Sequence, residues 1–351
     1  MRPASVDGEA RTIAQCRKVF REEQVTIRLT RRAALAGAGA IAMPSATWSQ
    51  TPVELPGGPI KILVGFPAGG GTDVQARLVA ERLRERTGRS FIVENKAGAS
   101  GTVAGDTLKT ATPDGNTILL APIASAVMAK LTFPQLNHDP FVDHAPITLL
   151  GTFQLALAVS PQLGPKTVGE FVAWAKANPK QASYGTTAMG SLPHFFGVLL
   201  ARATGTDLQA VPYRGAAPLV SDLAGGQVPS GTGALTDFLE HHKAGRLRII
   251  ATSGANRPLA APDLPTFSEQ GYKDIVGDSW LGFFAPAASP RPIIDAFNRE
   301  IAATVALAEV RERLIQLGLE PRTTTPEEFD ALRRADAAKW KKVVDESGYK
   351  P

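Results

Sequence analysis

Short apolar runs alternate with amphipathic stretches along most of the chain. The apolar runs predict β-strands, and they read KILVGF, SFIVEN, TILLAP, ITLLGT and LALAVS in the first half, then SYGTT, LQAVPY, LRIIATS and WLGFFAP in the second. The stretches between them, such as VGEFVAWAKANP and FFGVLLARATG, have apolar residues at the spacing of a helix that buries one face. Strands that alternate with helices in this way predict an α/β fold with largely parallel sheets.

Two more helices are predicted after Pro290, and they read PIIDAFNREIAATVAL and PEEFDALRRADAAKWKKVVDESG. Pro326 and the two glutamates that follow it make a favourable first turn for the second of these helices. The chain after residue 50 has roughly 300 residues, which is more than one hydrophobic core usually holds. We therefore expect two domains, with these surface helices packed on one of them.

The first fifty residues have the order of an export signal. A pair of arginines in TRRAAL leads into a small, apolar run from Ala33 to Met43, and a polar stretch of small residues ends near Gln50. The run is shorter than the ~20 apolar residues that span a bilayer. Paired arginines suggest the twin-arginine route, although a general secretory signal could carry the same pair. Because the acidic residues before Thr30 do not suit a signal, we expect translation to start near Val25.

The formal net charge of +5 comes mostly from this leader. Residues 1–50 hold eight Lys and Arg against four Asp and Glu, so the rest of the chain is left with a net charge of +1. Proteins that bind nucleic acids usually carry a basic patch, and the sequence after the leader has none. We therefore expect small molecules or protein surfaces as partners, and no nucleic acid.

The sequence lacks the patterns of common catalytic and metal sites. Cys16, the only cysteine, lies in the leader, so the mature chain would have no disulfide and no thiolate ligand. The five histidines, at 138, 144, 194, 241 and 242, include no pair at the i, i+4 spacing that places two ligands on one helix face. No G-x-S-x-G nucleophile motif is present. We therefore expect no catalytic residue, no metal and no other cofactor.

A glycine-rich turn joins the first predicted strand to a helix. Residues 59–73 read PIKILVGFPAGGGTD, and VQARLVAERLRERTG follows. Glycine lets a ligand approach the backbone closely, and the first turn of a helix offers unpaired N–H groups and the positive end of the helix dipole. The turn therefore suits a small anion. A tight turn without any ligand is the alternative.

The residues of this turn argue against a nucleotide-binding site. A P-loop needs a lysine directly after its last glycine, and this chain has Thr72 and Asp73 there. The dinucleotide motif G-x-G-x-x-G does not match three consecutive glycines, and Asp73 would place a carboxylate near the pyrophosphate. A smaller anion fits the turn better.

A second turn with similar chemistry lies in the middle of the chain. Residues 183–194 read SYGTTAMGSLPH, which predicts a strand, a loop of small and hydroxyl-bearing residues, and a helix that starts at Ser191 with Pro193 in its first turn. Ligands of open α/β sheets bind outside the carboxyl ends of the strands, which is where both turns would lie. The two turns could therefore face each other across a cleft.

Several longer stretches resemble the motifs of one family. They read IKILVGFPAGGGTDVQARLVAERL, FIVENKAGASG, TPDGNTILLAP, SYGTTAMGSLPHF, VPYRGAAPLVSDLAGGQV, LPTFSEQGY and SWLGFFAPAASP. In this order they resemble the Bug family, the periplasmic solute-binding proteins of tripartite tricarboxylate transporters, also called the TctC type. The resemblance covers essentially all of residues 58–349.

The resemblance implies a two-domain type II periplasmic binding protein of the venus-flytrap kind, each domain having a mainly parallel sheet flanked by helices. Domain 1 would comprise residues 51–153 and 278–351, and domain 2 residues 154–277. A carboxylate-bearing solute, a small organic acid or an amino acid, would lie between the domains. The protein would be a periplasmic monomer whose export signal is removed.

The resemblance also implies a set of solute contacts. They are Phe66, Ala68, Gly70, Thr72 and Asp73 in the first loop, Thr186, Gly190, Ser191 and His194 in the second, Tyr213, Arg214, Gly215 and Ala216 in PYRGAAP, and Asp237 and Trp280.

Four of these residues have more than one possible role. Arg214 could pair with the second carboxylate of a diacid or be an exposed surface residue. Asp73 would repel an anion, so it could cap the helix, hold a water or contact the ammonium group of an amino acid. His194 could be a packed, hydrogen-bonded residue or a solute contact. Trp280 could line the pocket or belong to the core.

One segment departs from the family. After GGQV the family usually has an acidic residue, a few apolar residues and Asp-Asn, whereas this chain has PSGTGALTD from Pro229 to Asp237. Proline cannot donate to a sheet, and Gly231 and Gly233 weaken a strand. We therefore expect an altered pocket wall here, with Thr236 and Asp237 as weaker candidates and a solute preference unlike that of typical relatives.

The function that follows is capture of a solute and its delivery to a membrane permease of the tripartite tricarboxylate type, without bond making. One alternative is a solute-sensing protein that docks on a two-component receptor. Another is a secreted enzyme that uses the same cleft, with Asp73 and His194 as its acid–base pair.

Overall fold

The computed structural model describes residues 54–133 and 135–350. The predicted export signal and the predicted start near Val25 lie outside these residues. Among the described residues, no helix is long and apolar enough to cross a membrane.

The described strands follow the predicted apolar runs closely, with two additions, β8 and β11. They are β1 (Ile60–Val64), β2 (Phe91–Asn95), β3 (Thr117–Pro122), β4 (His144–Phe153), β5 (Leu155–Val159), β6 (Ser183–Thr186), β7 (Gln209–Pro212), β8 (Ser230–Ala234), β9 (Arg248–Thr252), β10 (Ser279–Pro286) and β11 (Glu320–Pro321).

Helices fill most of the intervals between the strands. They are α1 (Gly71–Thr87), α2 (Thr102–Lys109), α3 (Ala129–Thr132), α4 (Pro140–Asp143), α5 (Val168–Ala177), α6 (Leu192–Thr204), α7 (Ala216–Gly225), α8 (Leu235–Lys243), α9 (Arg291–Val305), α10 (Ala308–Gln316) and α11 (Pro326–Ser347). The predicted start of α6 is confirmed, since Ser191 is its N-cap and Pro193 lies in its first turn. Pro326 begins α11 as predicted, behind a capping box of Thr325 and Glu328.

The strands form two mixed sheets in which most strands share one direction. Sheet 1 has the order β11-β4-β10-β3-β1-β2, and sheet 2 has the order β7-β6-β8-β5-β9. In sheet 1, β10 runs against β3 and β4, and β11 runs against β4. In sheet 2, only β5 runs against its neighbours. We call the edge at which the majority strands end the carboxyl edge of each sheet.

The segment that starts at Pro229 forms a regular central strand despite its proline and glycines, and the expected change of the pocket wall stays a prediction. Pro229 precedes β8, which pairs with β6 on one side and β5 on the other. A methyl group on Gly231 would lie 3.0 Å from a Leu223 methyl carbon, and one on Gly233 would lie 2.8 Å from the Phe238 ring. Helices therefore pack closely on β8 because its glycines lack side chains, and this packing outweighs their low strand propensity.

The chain crosses between the sheets twice at their carboxyl edges. Gln154 joins β4 to β5, and residues 253–278 join β9 to β10. Leu155, the first residue of β5, pairs with Ala234, the last residue of β8. Phe153, the last residue of β4, pairs with the first residue of β10. The carboxyl edges of the two sheets are therefore the edges that the crossings connect.

The predicted division of the chain into domains has the same boundaries as the sheets. The strands of sheet 1 all lie within residues 51–153 or 278–351, and those of sheet 2 lie within residues 154–277. The exact domain boundaries stay a prediction. One buried apolar cluster includes Leu119 of sheet 1, Leu157 of sheet 2, Phe196 of α6 and Trp340 of α11.

Candidate functional site

The first glycine turn is held in place by Asp73, which is 2 % exposed. Its carboxylate accepts hydrogen bonds from the Gly69 N–H at 2.8 Å, from Nε of Arg77 at 3.0 Å and from Nδ2 of Asn95 at 2.9 Å. The hydrogen bond from Arg77 is the largest cause that lowers the pKa of Asp73 to about 2. These contacts show that the charge of Asp73 fixes the turn before α1, and a contact between Asp73 and a solute stays a prediction.

The rest of the first loop presents backbone groups. Gly70 is the N-cap of α1 and supplies no side-chain cap. The first helical hydrogen bond joins the Val74 N–H to the Gly70 carbonyl, so the amides just before Val74 have no partner within the helix. Ala68 is exposed, and Phe66 and Thr72 are half-buried. The loop therefore offers N–H groups and one hydroxyl at the start of a 17-residue helix.

A third loop, which the sequence did not lead us to name, lies beside the first. Gly98, Ala99, Ser100 and Gly101 all have positive φ, which is unusual for Ala99 (43°) and Ser100 (57°). A methyl group on Gly65 would lie 2.6 Å from Cα of Gly101, so the two loops touch through their backbones. Strained backbone of this kind is common at binding sites. The run of small residues in KAGASG is the sequence feature from which this loop could have been predicted.

The chain after β3 completes this side of the site. Residues Ala124–Met128 form one turn of π-helix, a feature often found at functional sites. Ser125 is 6 % exposed. A methyl group on Gly101 would lie 3.2 Å from Cβ of Ser125 and 3.1 Å from the Phe66 ring. The carboxyl ends of β1, β2 and β3 therefore bring Phe66, Gly101 and Ser125 together.

The second loop lies at the carboxyl edge of sheet 2. Thr186 ends β6 and is fully buried, and its hydroxyl has no hydrogen-bond partner among the described residues. The Ser191 hydroxyl donates to the Ala188 carbonyl at 2.6 Å and accepts from the His194 N–H at 3.4 Å. Ser191 thus has the local role of an N-cap. Met189, in the loop between these residues, is exposed.

His194 fixes the shape of the second loop. It is 5 % exposed, and its Nδ1 accepts the Gly190 N–H at 3.3 Å. Burial lowers the pKa of His194, which favours the neutral ring that this bond requires. The ring also contacts Phe195 and Tyr349 at centroid distances of 4.8 and 5.7 Å. His194 is therefore a packed, hydrogen-bonded residue, and a contact between His194 and a solute stays a prediction.

The PYRGAAP stretch adds a third helix start beside the second loop. The Tyr213 N–H donates to the Thr186 carbonyl at 2.8 Å, and the Gly215 N–H donates to the Thr187 carbonyl at 3.0 Å. Gly215 has a φ of 100° and is the N-cap of α7, which Ala216 begins. The N-termini of α6 and α7 therefore lie side by side.

Two side chains of this stretch differ in their surroundings. The Tyr213 hydroxyl donates to Asp222 at 2.8 Å, and burial is the main cause that raises the pKa of Tyr213 to about 12. Arg214 is exposed and pairs with no other residue in the described part of the chain. Arg214 is therefore free to meet an external anion.

Asp237 lies at the start of α8, on the same edge. It is half-buried, and burial raises the pKa of its carboxyl to about 6, although the Ala234 N–H lowers it in part. Its neighbour Thr236 approaches Gly318, which precedes β11, so closely that a methyl group on Gly318 would collide with the threonine methyl. Thr236 is therefore a contact between the sheet 1 side and the sheet 2 side.

Trp280 belongs to the core. It is 1 % exposed, its Nε1 donates to Asp336 at 2.8 Å, and its ring meets Phe329 edge-on at a centroid distance of 5.1 Å. The side chain of Trp280 is therefore packed in the core, and a contact between Trp280 and a solute stays a prediction.

A hydrogen-bond network joins the two crossings. The Gln154 side chain accepts from the Gly254 N–H at 3.1 Å and donates to the Asn256 carbonyl at 3.0 Å. The Ser253 hydroxyl accepts from the Leu155 N–H at 2.9 Å and donates to Asp278 at 3.0 Å. Burial raises the pKa of Asp278 to about 6. The crossings are therefore bonded to each other at the point where a hinge between the sheets would lie.

Comparison with known proteins gives this arrangement its context. Residues 75–349 match the family model described as "Tripartite tricarboxylate transporter family receptor", TctC. Protein BugT of Bordetella pertussis is 31 % identical over 296 residues, which cover 84 % of this chain and 91 % of BugT.

Solved structures of similar sequence agree with the fold. The Rhodopseudomonas palustris protein Rpa4515 with adipate has a TM-score of 0.75 at 30 % identity, and the match covers 84 % of this chain and 99 % of that one. MatC of R. palustris with bound malate has a TM-score of 0.70 at 28 % identity, covering 83 % of this chain and all of MatC. Such neighbours are two-domain periplasmic binding proteins, as the predicted fold class requires. The chain belongs to the TctC family of tripartite tricarboxylate transporter receptors, the Bug proteins.

Proposed function

We propose that the protein is exported to the periplasm, closes around a small dicarboxylate between its two domains, and delivers it to a membrane permease of the tripartite tricarboxylate type. The observation that carries this proposal is the set of three helix N-termini at the connected carboxyl edges. α1 starts on one sheet, and α6 and α7 start on the other. Each offers backbone N–H groups and positive dipole ends to an anion.

The charges around the loops support an acidic solute. Asp73, the one acidic residue of the first loop, is neutralised by Arg77 at 3.0 Å. Arg214 adds an unpaired positive charge beside α7, which suits a second carboxylate. Similar proteins have been solved with adipate and with malate, both of which are dicarboxylates. We therefore assign the α1, α6 and α7 starts to carboxylates, with Arg214 as the side-chain contact for a diacid.

Closure follows from contacts made by both domains. A solute shifts an open–closed equilibrium only by as much as its affinities for the two states differ. A shift from mostly open to mostly closed needs a difference of about 5.5 kcal/mol. Charge-assisted hydrogen bonds contribute about 1.5–3 kcal/mol each, so anchors from two domains reach this value. No residue in this mechanism makes or breaks a covalent bond.

A binding experiment tests the solute class. Isothermal calorimetry with adipate, malate and succinate should give saturable binding of at least one acid. The double variant Thr72→Ala, Ser191→Ala should lose most of this affinity, whereas its melting temperature should change little. Unchanged affinity in that variant would remove both loops from the site.

The role of Arg214 has a matched control. Arg214→Gln should weaken a dicarboxylate about tenfold or more, because a charge-assisted pair is lost, and should change a monocarboxylate much less. Arg246 is another exposed arginine without a side-chain partner among the described residues, and it lies in the turn between α8 and β9. Arg246→Gln should leave both affinities unchanged. Equal loss for mono- and dicarboxylates in Arg214→Gln would contradict the assignment.

Delivery to a permease is the part of the proposal that the family name supports. Uptake of labelled solute into vesicles that contain a tripartite permease should require the protein. Binding without stimulated uptake would favour the alternative of a sensing protein, and turnover of the bound acid would favour an enzyme.

A further inference from the structure

The C-terminal helix links the two sheets. Near its start, Phe329 packs against Trp280 and over Gly282 of sheet 1. Further along, Trp340 lies 3.1 Å from where a methyl group on Gly277 would be, and the Phe196 ring of α6 lies 3.5 Å from the same point. α11 therefore leaves sheet 1 and reaches the helix that follows the second loop.

The end of α11 reaches the second loop itself. Gly348, with a φ of 67°, terminates the helix and turns the chain. The Tyr349 ring then meets the Phe195 ring edge-on, with centroids 5.5 Å apart at 87°, and lies 5.7 Å from the His194 ring. An ion pair between Arg202 of α6 and Glu346 of α11 lies nearby.

Tyr349 leaves no room for a side chain on Gly190. A methyl group on Gly190 would lie 2.5 Å from the Tyr349 hydroxyl oxygen and 2.9 Å from Cζ. Gly190 also has a φ of 75°, which favours glycine. The Gly190 N–H is bonded to the His194 ring. Tyr349 therefore covers both Gly190, where the loop turns, and the His194 ring that holds Gly190 in place.

We propose that Tyr349 is a positioning residue of the solute site, a latch by which the C-terminal segment fixes the loop between Thr186 and His194. This inference rests on the proposed function, because it takes that loop as a solute contact. Tyr349 touches no solute itself. It acts through Gly190 and His194, so its loss leaves the loop amides present and less well directed.

Four proteins test the latch. Tyr349→Ala removes the ring, Tyr349→Phe keeps the ring and removes only the hydroxyl, and a chain that stops after Tyr349 keeps both. Tyr272→Ala is the matched control, because Tyr272 is another half-buried tyrosine beside the same apolar cluster and its hydroxyl lies 4.0 Å from a methyl position on Gly169 of α5. All four are compared with the unaltered protein.

Hydrogen exchange of residues 186–194 in solute-free protein is the first readout. We expect about tenfold faster exchange in Tyr349→Ala, and rates within about twofold of the unaltered protein in the other three. Calorimetry with adipate is the second readout, and we expect an affinity about five- to tenfold weaker in Tyr349→Ala alone. A merely structural tyrosine would lower the melting temperature and change neither readout.

The outcomes separate the latch from the proposed function. If adipate does not bind the unaltered protein but exchange of residues 186–194 responds to Tyr349→Ala, the latch on the loop stands and the choice of solute is wrong. If exchange in Tyr349→Ala stays within about twofold of the unaltered protein, the latch is wrong whatever adipate does. If Tyr272→Ala accelerates the same peptide equally, the effect is global loosening and the latch is also wrong.

Discussion

Replacing Asp73 with asparagine separates two roles of this carboxylate, as the lock of the first glycine turn or as a contact for an ammonium-bearing solute. Asparagine has nearly the same shape but no charge, and its amide nitrogen cannot accept a hydrogen bond. It therefore loses either the bonds that Gly69 and Arg77 donate to Oδ2 or the bond that Asn95 donates to Oδ1. If Asp73 is the lock, the loss appears in the free energy of unfolding of the solute-free protein.

The size of the loss follows from the pKa. The carboxyl has a pKa of about 2 in the folded protein against an ordinary value of 3.8. At about 1.4 kcal/mol per pKa unit, the charged form stabilises the fold by at most about 2.5 kcal/mol at pH 7. Because the Arg77 side chain is 52 % exposed, water weakens this pair. We expect Asp73→Asn to lose about 1–2 kcal/mol.

The pH dependence has a definite sign. The folded pKa is lower than the unfolded one, so the stabilisation is complete above the unfolded value and is lost as the pH falls through the folded value. About half of it is left at pH 3. The difference between wild type and variant should therefore shrink by about half between pH 7 and pH 3.

Urea unfolding at the two pH values measures both effects, and Glu81→Gln, an exposed carboxylate on the same helix, is the control that should change little. An equal loss at pH 7 and pH 3 would show that the charge is not the cause. A loss below about 0.5 kcal/mol at pH 7 would show that the turn does not depend on Asp73.

Three further predictions use the same unfolding measurement. Asp278→Asn should be more stable than wild type by about 1–2 kcal/mol at pH 8 and equal to it near pH 4. The pKa of Asp278 is raised from 3.8 to about 6 in the folded protein, so the wild type loses stability as the pH rises between these two values. A difference that does not change with pH would contradict this cause. Trp280→Phe should lose about 2 kcal/mol, since it removes the hydrogen bond to Asp336 and part of a buried ring; a neutral effect would place Trp280 outside the core. Gly318→Ala should be destabilising through its φ of 78° and its collision with the Thr236 methyl, and adding Thr236→Ser should restore part of the loss; strictly additive effects would argue against the contact.

Local features were predicted well where neighbouring residues decide the structure. The apolar runs predicted nine of the eleven described strands, and Ser191 and Pro326 marked the starts of their helices. These signals depend on residues within one or two turns of each other, because side-chain periodicity and capping act over that range. The family and the two-domain fold could likewise be inferred from the motifs.

The strand after Pro229 shows the limit of local reasoning. Its glycines predict a weak strand, but they are what lets Leu223 and Phe238 pack on the sheet. The low strand propensity of a glycine can be read from the sequence, whereas the room that it leaves for a neighbouring side chain depends on which helices pack on the strand. The same limit applies to the loop from Gly98 to Gly101, whose contact with Gly65 follows from the pairing of β1 with β2.

The sequence by itself determined the family, the elements and the two loops that suit an anion. Only the tertiary structure decided what the individual side chains do there. Asp73 accepts a hydrogen bond from Asn95 of the next strand in addition to those from its sequence neighbours Gly69 and Arg77, Trp280 donates to Asp336, and Gly190 lies under Tyr349. Asn95, Asp336 and Tyr349 are distant in sequence from the residues they contact, and such pairs are fixed by the path of the chain through two sheets and not by local propensity.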